Sequence, residues 1–280
     1  MHIGTVATDE GDYIHGYHER EAARLQDQAA SVLELLHGDT SYAAGSIVLE
    51  VGCGTGAQTV TLARNSPRAQ IVSFDRSGTS LAEARARVAA SGADNVAFHR
   101  ADLFALPFAE RSFDHVFVCF VLEHLPNPVE ALVVLQRYLK PGGSITVFEG
   151  DHGSAYFHPE SAIARRAIDC QVELQRQAGG NACIGRELFP LLVRAGYSDV
   201  RVSPRMVYVD ASRPRLVESF TRGTFTAMIA GVRERAIHSG IIDAASFDAG
   251  IRALYRTAEE DGVFCYTFFK GIARAVSRAR

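Results

Sequence analysis

The sequence predicts an α/β fold in which helices cover both faces of a doubly wound, mostly parallel sheet of seven strands. Short apolar runs rich in branched residues alternate with helical patterns between residues 47 and 149. The first of these runs ends in glycines at positions 52, 54 and 56, where a strand turns sharply into a helix. Acidic residues follow several of the strands, at the edge where such sheets bind ligands.

The individual elements follow from the spacing of apolar residues and from glycine and proline. Strands are predicted at 47–51, 69–75, 96–100, 112–119, 144–149, 199–202 and 263–271, and 205–209 either extends or follows the sixth strand. Helices are predicted at 19–36, from residue 60, at 81–90, before Pro141-Gly142-Gly143, and at 163–177 and 186–195. Residues 150–159 are expected to form a loop, and a helical insertion is expected at 214–260, before the last strand.

Composition excludes several classes of partner. The chain has 280 residues and a net charge of −3, which gives no electrostatic argument for binding nucleic acid or an anionic membrane. No apolar run is long enough to span a bilayer. Five cysteines lie apart without a C-x-x-C pair, so we interpret them as reduced thiols and expect a cytoplasmic protein.

Three acidic residues stand where predicted strands end. Glu50 closes an otherwise apolar strand, and a buried carboxylate there needs a partner such as a ligand amine. Asp75 follows the glycines by about twenty residues, the spacing at which a carboxylate accepts hydrogen bonds from a ribose diol. Asp102 could accept from an exocyclic amine, or it could cap a turn. With Cys119, these residues predict a ligand site at the carboxyl edge of the sheet.

The first forty residues are predicted to form a helical lid. Tyr13 and Tyr17 precede the helix predicted at 19–36 and either anchor it to the sheet or cover a ligand at the glycine turn. We therefore divide the chain into a lid at 1–40, a cofactor-binding core at 41–150, and a substrate-side part at 151–280 that completes the same domain.

The ordered motifs resemble the class I S-adenosylmethionine-dependent methyltransferases. The resemblance covers about half of the chain and rests on Val48-Leu49-Glu50-Val51-Gly52-Cys53-Gly54-Thr55-Gly56, Asp75, Ala101-Asp102, Leu106-Pro107-Phe108, Phe113-Asp114, Leu122-Glu123-His124-Leu125 and Leu139-Lys140-Pro141-Gly142-Gly143. The last motifs are most similar to the ubiquinone and menaquinone branch, which acts on small molecules. The implied cofactor is S-adenosylmethionine, with S-adenosylhomocysteine as its product.

The resemblance also implies roles for single residues. Glu50 and the glycine backbone would hold the methionine part of the cofactor, Asp75 the ribose, and Asp102 with Leu103 the adenine. Cys119 would lie beside the sulfonium. The complete set of expected cofactor-binding residues is Tyr17, Glu50, Gly52, Gly54, Gly56, Gln58, Asp75, Arg76, Asp102, Leu103, Cys119, Phe120 and His124.

Asp151-His152-Gly153 and the aromatic last strand resemble a subgroup of natural-product tailoring enzymes that includes the terpenoid-indole C-methyltransferases of the teleocidin pathway. That resemblance implies C-methylation of a terpenoid or prenylated acceptor and cyclisation through a carbocation, which aromatic rings stabilise. Methylation of a hydroxyl or amine would instead need a base, and His152 and His158 are the candidate catalytic residues.

Three alternative functions stay open from the sequence. Gly52, Gly54 and Ala57 also satisfy the loose dinucleotide pattern, so an NAD-dependent dehydrogenase is one of them. A protein that binds the cofactor without turnover is another. A metal-assisted enzyme would need more ligands than Asp151 and His152, and we expect no metal. The N-terminal segment and the insertion could also pair between subunits, which would give a homo-oligomer.

Overall fold

The sheet has seven strands, as predicted. The computed structural model describes residues 35–276, and its strand order is β3-β2-β1-β4-β5-β7-β6. Neighbouring strands run parallel except at β7, which is antiparallel to both β5 and β6. The strands are β1 (Ile47–Val51), β2 (Gln70–Asp75), β3 (Val96–Arg100), β4 (Phe113–Cys119), β5 (Leu139–His158), β6 (Ser198–Val209) and β7 (Val263–Arg274).

Helices cover both faces of the sheet. They are α1 (Ala57–Asn65), α2 (Gly78–Ala90), α3 (Pro128–Tyr138), α4 (Ala162–Gln177), α5 (Leu188–Arg194), α6 (Pro214–Leu216), α7 (Ala227–Gly231), α8 (Arg233–His238) and α9 (Ala244–Arg256). One face packs against α3 and α5 through leucines such as Leu132, Leu135 and Leu188. The other face packs against α1 and the late helices, with Phe117, Phe148 and Phe264 in its core.

The prediction of a loop at 150–159 is wrong, because residues 150–158 continue strand β5. The strand runs unbroken from Leu139 to His158, and His158 still pairs with Val263 of β7. A register shift between Asp151 and Tyr156 interrupts this ladder. The segment lacks a clear apolar alternation, so it depends on β7, more than one hundred residues later, to satisfy its backbone.

The helical insertion lies where it was predicted. Between α6 and α7 the chain forms a π-helical stretch, Val217–Thr226, a rare geometry that is common at functional sites. Helix α9 crosses α4 closely at Gly250, where a Cβ atom would lie 2.7 Å from the carbonyl oxygen of Ile163. The insertion therefore forms a packed helical cover over the β7 side of the sheet.

Asp39 connects the chain before β1 to the last two strands. Lys270 of β7 is buried and donates to Asp39 Oδ1 at 2.8 Å and to Thr40 Oγ1 at 2.7 Å. Arg205 of β6 pairs with the same carboxylate. Tyr13, Tyr17 and most of the helix predicted at 19–36 lie outside the described residues, so the lid stays a prediction.

Within residues 35–276, no helix is both long and apolar enough to cross a lipid bilayer.

Candidate active site

The glycine turn after β1 forms one wall of the site. Gly52, Gly54 and Gly56 have φ values of 62°, 50° and 80°, a left-handed region that disfavours other residues. A Cβ atom at Gly52 would lie 2.9 Å from Val121, and one at Gly56 would lie 2.8 Å from the backbone of Ala84. At Gly54 a Cβ atom would meet nothing within 4 Å. The first and third glycines thus permit close packing, whereas Gly54 leaves its backbone open to a ligand.

Glu50 lies under this turn and does not line the cavity. Its side chain is 2% exposed, and Ser73 Oγ donates to Glu50 Oε2 at 2.5 Å. Burial raises the pKa of Glu50 to about 7; the hydrogen bond from Ser73 acts in the opposite direction, and Asp75 adds a smaller upward effect. Glu50 therefore changes its charge near neutral pH, directly below the expected methionine site.

Asp75 holds the turn in place. Its Oδ2 accepts from the backbone N–H of Gly54 at 2.9 Å, and its Oδ1 accepts from that of Ser77 at 2.8 Å. A carboxylate has about four lone-pair sites, so it can also accept from a diol. This arrangement makes Asp75 both a support for the glycine turn and a candidate ribose ligand.

Three further predicted residues lie beyond the cavity described below. Asp102 is exposed, and its Oδ1 caps a turn by accepting from the N–H of Phe104 at 2.7 Å. The neighbouring Leu103 is buried, and Arg76 is exposed. The turn-capping role of Asp102 is thus present, and its contact with adenine stays a prediction.

A single cavity connects the glycine turn to the helical insertion. It contains seven of the residues predicted from sequence, namely Gly52, Gly54, Gln58, Cys119, Phe120, His124 and His152. The insertion and β7 add Phe220, Thr224, Phe225, Met228, Tyr266 and Phe268. An apolar, largely aromatic chamber therefore adjoins the expected cofactor site, as is common for small-molecule pockets.

Phe120 enters the cavity from a strained backbone position. Its φ of 57° is unusual for a residue other than glycine, and its N–H donates to the carbonyl of Phe148 at 2.9 Å. Such strain persists only where surrounding contacts enforce it, and it is concentrated at functional sites. The ring lies 5.5 Å from that of Phe268, so this backbone position joins β4 to the aromatic wall.

His152 forms a buried pair with Tyr266. The side chains are 5% and 2% exposed, and His152 Nδ1 lies 3.1 Å from the Tyr266 hydroxyl. That hydroxyl occupies the space over Gly150, where a Cβ atom would come within 2.4 Å of it. Burial holds the pKa of Tyr266 well above its usual range, so it stays a neutral phenol that orients the imidazole.

The second histidine candidate lies elsewhere. His158 is exposed at the end of β5 and does not line the cavity, so the structure does not bring it to the site. Asp151, the acid next to His152, forms a two-point ion pair with Arg186 at 2.7 Å for each contact. Within residues 35–276, no three histidine, cysteine or acidic side chains are grouped to hold a metal ion.

Two buried glutamates in the site were not predicted. Glu149, at the end of the strand segment predicted at 144–149, accepts from the N–H groups of Val121 and Leu122 at 3.1 and 2.8 Å. Glu123 lines the cavity itself. The sequence signal was available, since Glu123 lies in the Leu-Glu-His-Leu motif, but its orientation depends on contacts with α4.

Residues 48–143, about a third of the chain, match the family model described as a methyltransferase domain. The chain carries an S-adenosylmethionine-dependent methyltransferase domain. The match covers the glycine turn, Asp75 and the Pro-Gly-Gly entry to β5, and it favours the methyltransferase hypothesis over the dehydrogenase alternative.

The similar proteins include one that is uncharacterized and one that is named as a methyltransferase. An uncharacterized 37.1 kDa protein in transposon Tn4556 of Streptomyces fradiae is 30% identical over 67% of this chain and 54% of its own length. The 27-O-demethylrifamycin SV methyltransferase of Amycolatopsis mediterranei is 25% identical over 88% of this chain and 84% of its own. This chain spans about half the length of the first two curated relatives.

Solved structures with this fold are numerous. The cyclase SpnF aligns with a TM-score of 0.53 and 21% identity, over 92% of this chain and 82% of its own. This likeness concerns the fold alone, because unrelated reactions are carried out on one architecture.

Proposed function

We propose that the whole chain transfers a methyl group from S-adenosylmethionine to a small-molecule acceptor held in the aromatic chamber. One observation carries this proposal: a single cavity joins the Gly52–Gly54 turn to the rings of the insertion and β7. Donor and acceptor would then share one water-poor space, in which orientation alone can supply roughly 7–11 kcal/mol.

Residues on the donor side would bind and orient the cofactor. The open backbone at Gly54 and the carboxylate of Asp75 would hold the methionine and ribose parts. Cys119 and Phe120 would adjoin the sulfonium, whose methyl group is already activated for in-line displacement. Burial keeps the pKa of the Cys119 thiol well above its usual range, so this side chain stays neutral and does not compete as a nucleophile.

The acceptor we favour is an electron-rich alkene in a terpenoid or prenylated natural product, as in the teleocidin-type subgroup. The alkene π electrons form the new C–C bond to the methyl carbon, leaving S-adenosylhomocysteine and a carbocation on the acceptor. Rings such as Phe225 and Phe268 would stabilise that cation by roughly 0.5–2 kcal/mol each. Cyclisation would follow, and His152 would remove the final proton.

A hydroxyl or amine acceptor is a second candidate, supported by the His152–Tyr266 pair. Tyr266 would fix the imidazole so that His152 could take the acceptor proton during transfer. The alternative to both candidates is a protein that binds the cofactor without catalysing methyl transfer. We also propose a cytoplasmic location, a homo-oligomer, and the three-part division at residues 40 and 150, whereas His158 lies too far from the cavity for a catalytic role there.

The test is a product screen with methyl-labelled S-adenosylmethionine. Prenylated indoles and hydroxylated or aminated analogues of similar size are incubated with the protein, and products are identified by mass spectrometry. We expect label on carbon in the prenylated acceptors; label on oxygen or nitrogen would favour the second candidate. Cofactor binding without a labelled product across the panel would favour the rival that lacks catalysis.

His152→Ala tests the role of the base. We expect turnover to fall while cofactor affinity, measured by calorimetry, stays near that of the wild type. The matched control is His99→Ala, because His99 lies on β3 against Phe108 and outside the cavity. Unchanged turnover in the His152 variant would remove this residue from the mechanism.

A further inference from the structure

The described lining of the cavity is rich in aromatic rings and includes an acidic residue. Among the described residues that line the cavity are five with aromatic rings, two histidines, and one acidic residue, Glu123, whereas neither lysine nor arginine is among them. The five rings are Phe120, Phe220, Phe225, Tyr266 and Phe268. Aromatic faces attract cations and a carboxylate attracts them further, so this composition is typical of a pocket for positive charge.

Glu123 is held in place by Gln175, Asn181 and His124. Glu123 is 8% exposed. The side-chain amide of Gln175 donates from Nε2 to Glu123 Oε2 at 3.3 Å and to the backbone carbonyl of Glu123 at 2.9 Å. The N–H of Asn181 donates to the same carbonyl at 2.8 Å. Within residues 35–276, the one ion-pair contact of Glu123 is with its neighbour His124, at 3.4 Å.

A second buried acid lies behind Glu123. Glu149 is fully buried, and its Oε2 has no hydrogen-bond partner among the described residues. Burial, together with the negative charge of Glu123, holds the pKa of Glu149 well above its usual range. A second negative charge beside Glu123 is thus disfavoured, and neither lysine nor arginine is among the described residues that line the cavity.

We propose that Glu123 is the counter-ion for a positive charge on the acceptor, which is either cationic when it binds or becomes cationic when it is methylated. This inference rests on the proposed function and adds a class of substrate to it. A carboxylate near the developing charge stabilises it without reorganisation, because its position is set in advance. The aromatic rings then surround the positive charge of the acceptor, and the carboxylate of Glu123 makes the cavity select a positive charge over a negative one.

We assign Glu123 to the acceptor because Gln175 and Asn181, which hold it, belong to the substrate-side part of the chain. The donor side is formed by the glycine turn and Cys119, whereas Glu123 is held by α4 through Gln175 and by Asn181 after it. It lines the same cavity as His152 and the rings of the insertion. A role toward the cofactor sulfonium is the competing outcome, and it can be measured separately.

The experiment compares two isosteric probes, choline and neutral 3,3-dimethylbutan-1-ol, by calorimetry. The full chain is tested both alone and saturated with S-adenosylhomocysteine. We expect the wild type to bind choline about tenfold more tightly than the alcohol, and Glu123→Gln to lose most of that preference. Glutamine keeps the shape and can still accept from Gln175, so the fold should be retained.

Two controls isolate the effect. Glu110→Gln removes an exposed acid that pairs with Arg137 outside the cavity, and it should leave the preference for choline unchanged. The ratio of affinities for S-adenosylmethionine and S-adenosylhomocysteine reports on the sulfonium, because only the former carries the charge. Glu123→Gln should leave this ratio within about twofold of the wild type.

Three results would overturn the inference. The first is that the wild type binds the two probes equally, or binds neither. The second is that Glu123→Gln still prefers choline. The third is that Glu123→Gln changes only the ratio of affinities for S-adenosylmethionine and S-adenosylhomocysteine. Failure of the proposed function would give a different result. In that case the wild type would bind neither S-adenosylmethionine nor S-adenosylhomocysteine, and the comparison of the two probes in the protein alone would still test the inference.

Discussion

Replacing Glu50 with glutamine should stabilise the protein without ligand at high pH. Burial raises the pKa of Glu50 from 4.5 to about 7, so the folded state binds more protons than the unfolded state between those values. The stability contributed by this group is complete below pH 4.5 and is lost as the pH rises through 7. The full loss corresponds to about 3 kcal/mol, of which about 2–3 kcal/mol falls between pH 5 and pH 8.

Glutamine at this position carries no charge at either pH. Its amide oxygen can still accept from Ser73, so the packing should change little. We therefore expect the stability difference between Glu50→Gln and wild type to grow in favour of the variant by about 2–3 kcal/mol from pH 5 to pH 8. The same change should weaken S-adenosylmethionine binding, because a negative charge below the methionine site is lost.

Urea denaturation followed by circular dichroism at pH 5 and pH 8 measures the stability difference. Glu110→Gln serves as the control, since an exposed ion pair contributes little and should show no such growth. A stability difference for Glu50→Gln that is the same at both pH values would refute the reasoning, because it would mean that Glu50 does not titrate between them in the folded protein.

Four further outcomes are expected around the glycine turn and the histidine pair. Gly52→Ala should lower both thermal stability and cofactor affinity, by about 1–2 kcal/mol in stability, because it combines a left-handed φ with a 2.9 Å approach to Val121. Gly54→Ala should lower affinity, measured by calorimetry, more than stability, since its Cβ meets no protein atom within 4 Å; equal losses in both variants would contradict this. Asp75→Ala should weaken cofactor binding by well over about tenfold, since two backbone N–H groups lose their acceptor as well as the diol site, and near-normal affinity would overturn the assignment. Tyr266→Phe should reduce turnover and alter its pH profile while leaving cofactor affinity unchanged, whereas an unaltered profile would argue against an orienting role.

The core of the fold was open to prediction because its signals are local. Each strand from β1 to β4 is a short apolar run with its own turn residues, and α3 begins at Pro128 after the cap Asn127. Helical boundaries at α4 and α9 likewise follow from the capping side chains of Ser161 and Asp243. The order of these elements along the chain was sufficient for a doubly wound sheet.

Some of the residues predicted at strand ends line the cavity because the backbone alone places them there. Gly52, Gly54 and Cys119 reach the cavity because strand ends meet at one edge of the sheet. The prediction was incomplete for Glu50, which is buried under the turn, since sequence does not tell whether a strand-end acid points outward or inward. His158 differs from His152 because the extended β5 carries it away from the cavity.

Sequence by itself determined the alternating α/β architecture, the glycine turn and the row of strand-end residues, because each depends on neighbours within a few positions. Only the tertiary structure decided the length of β5, the pairing of His152 with Tyr266, and the exposure of Glu123 to the aromatic chamber. The partners in those contacts are between about fifty and more than one hundred residues apart. Such contacts form when the insertion and β7 pack against the sheet, and no local pattern encodes them.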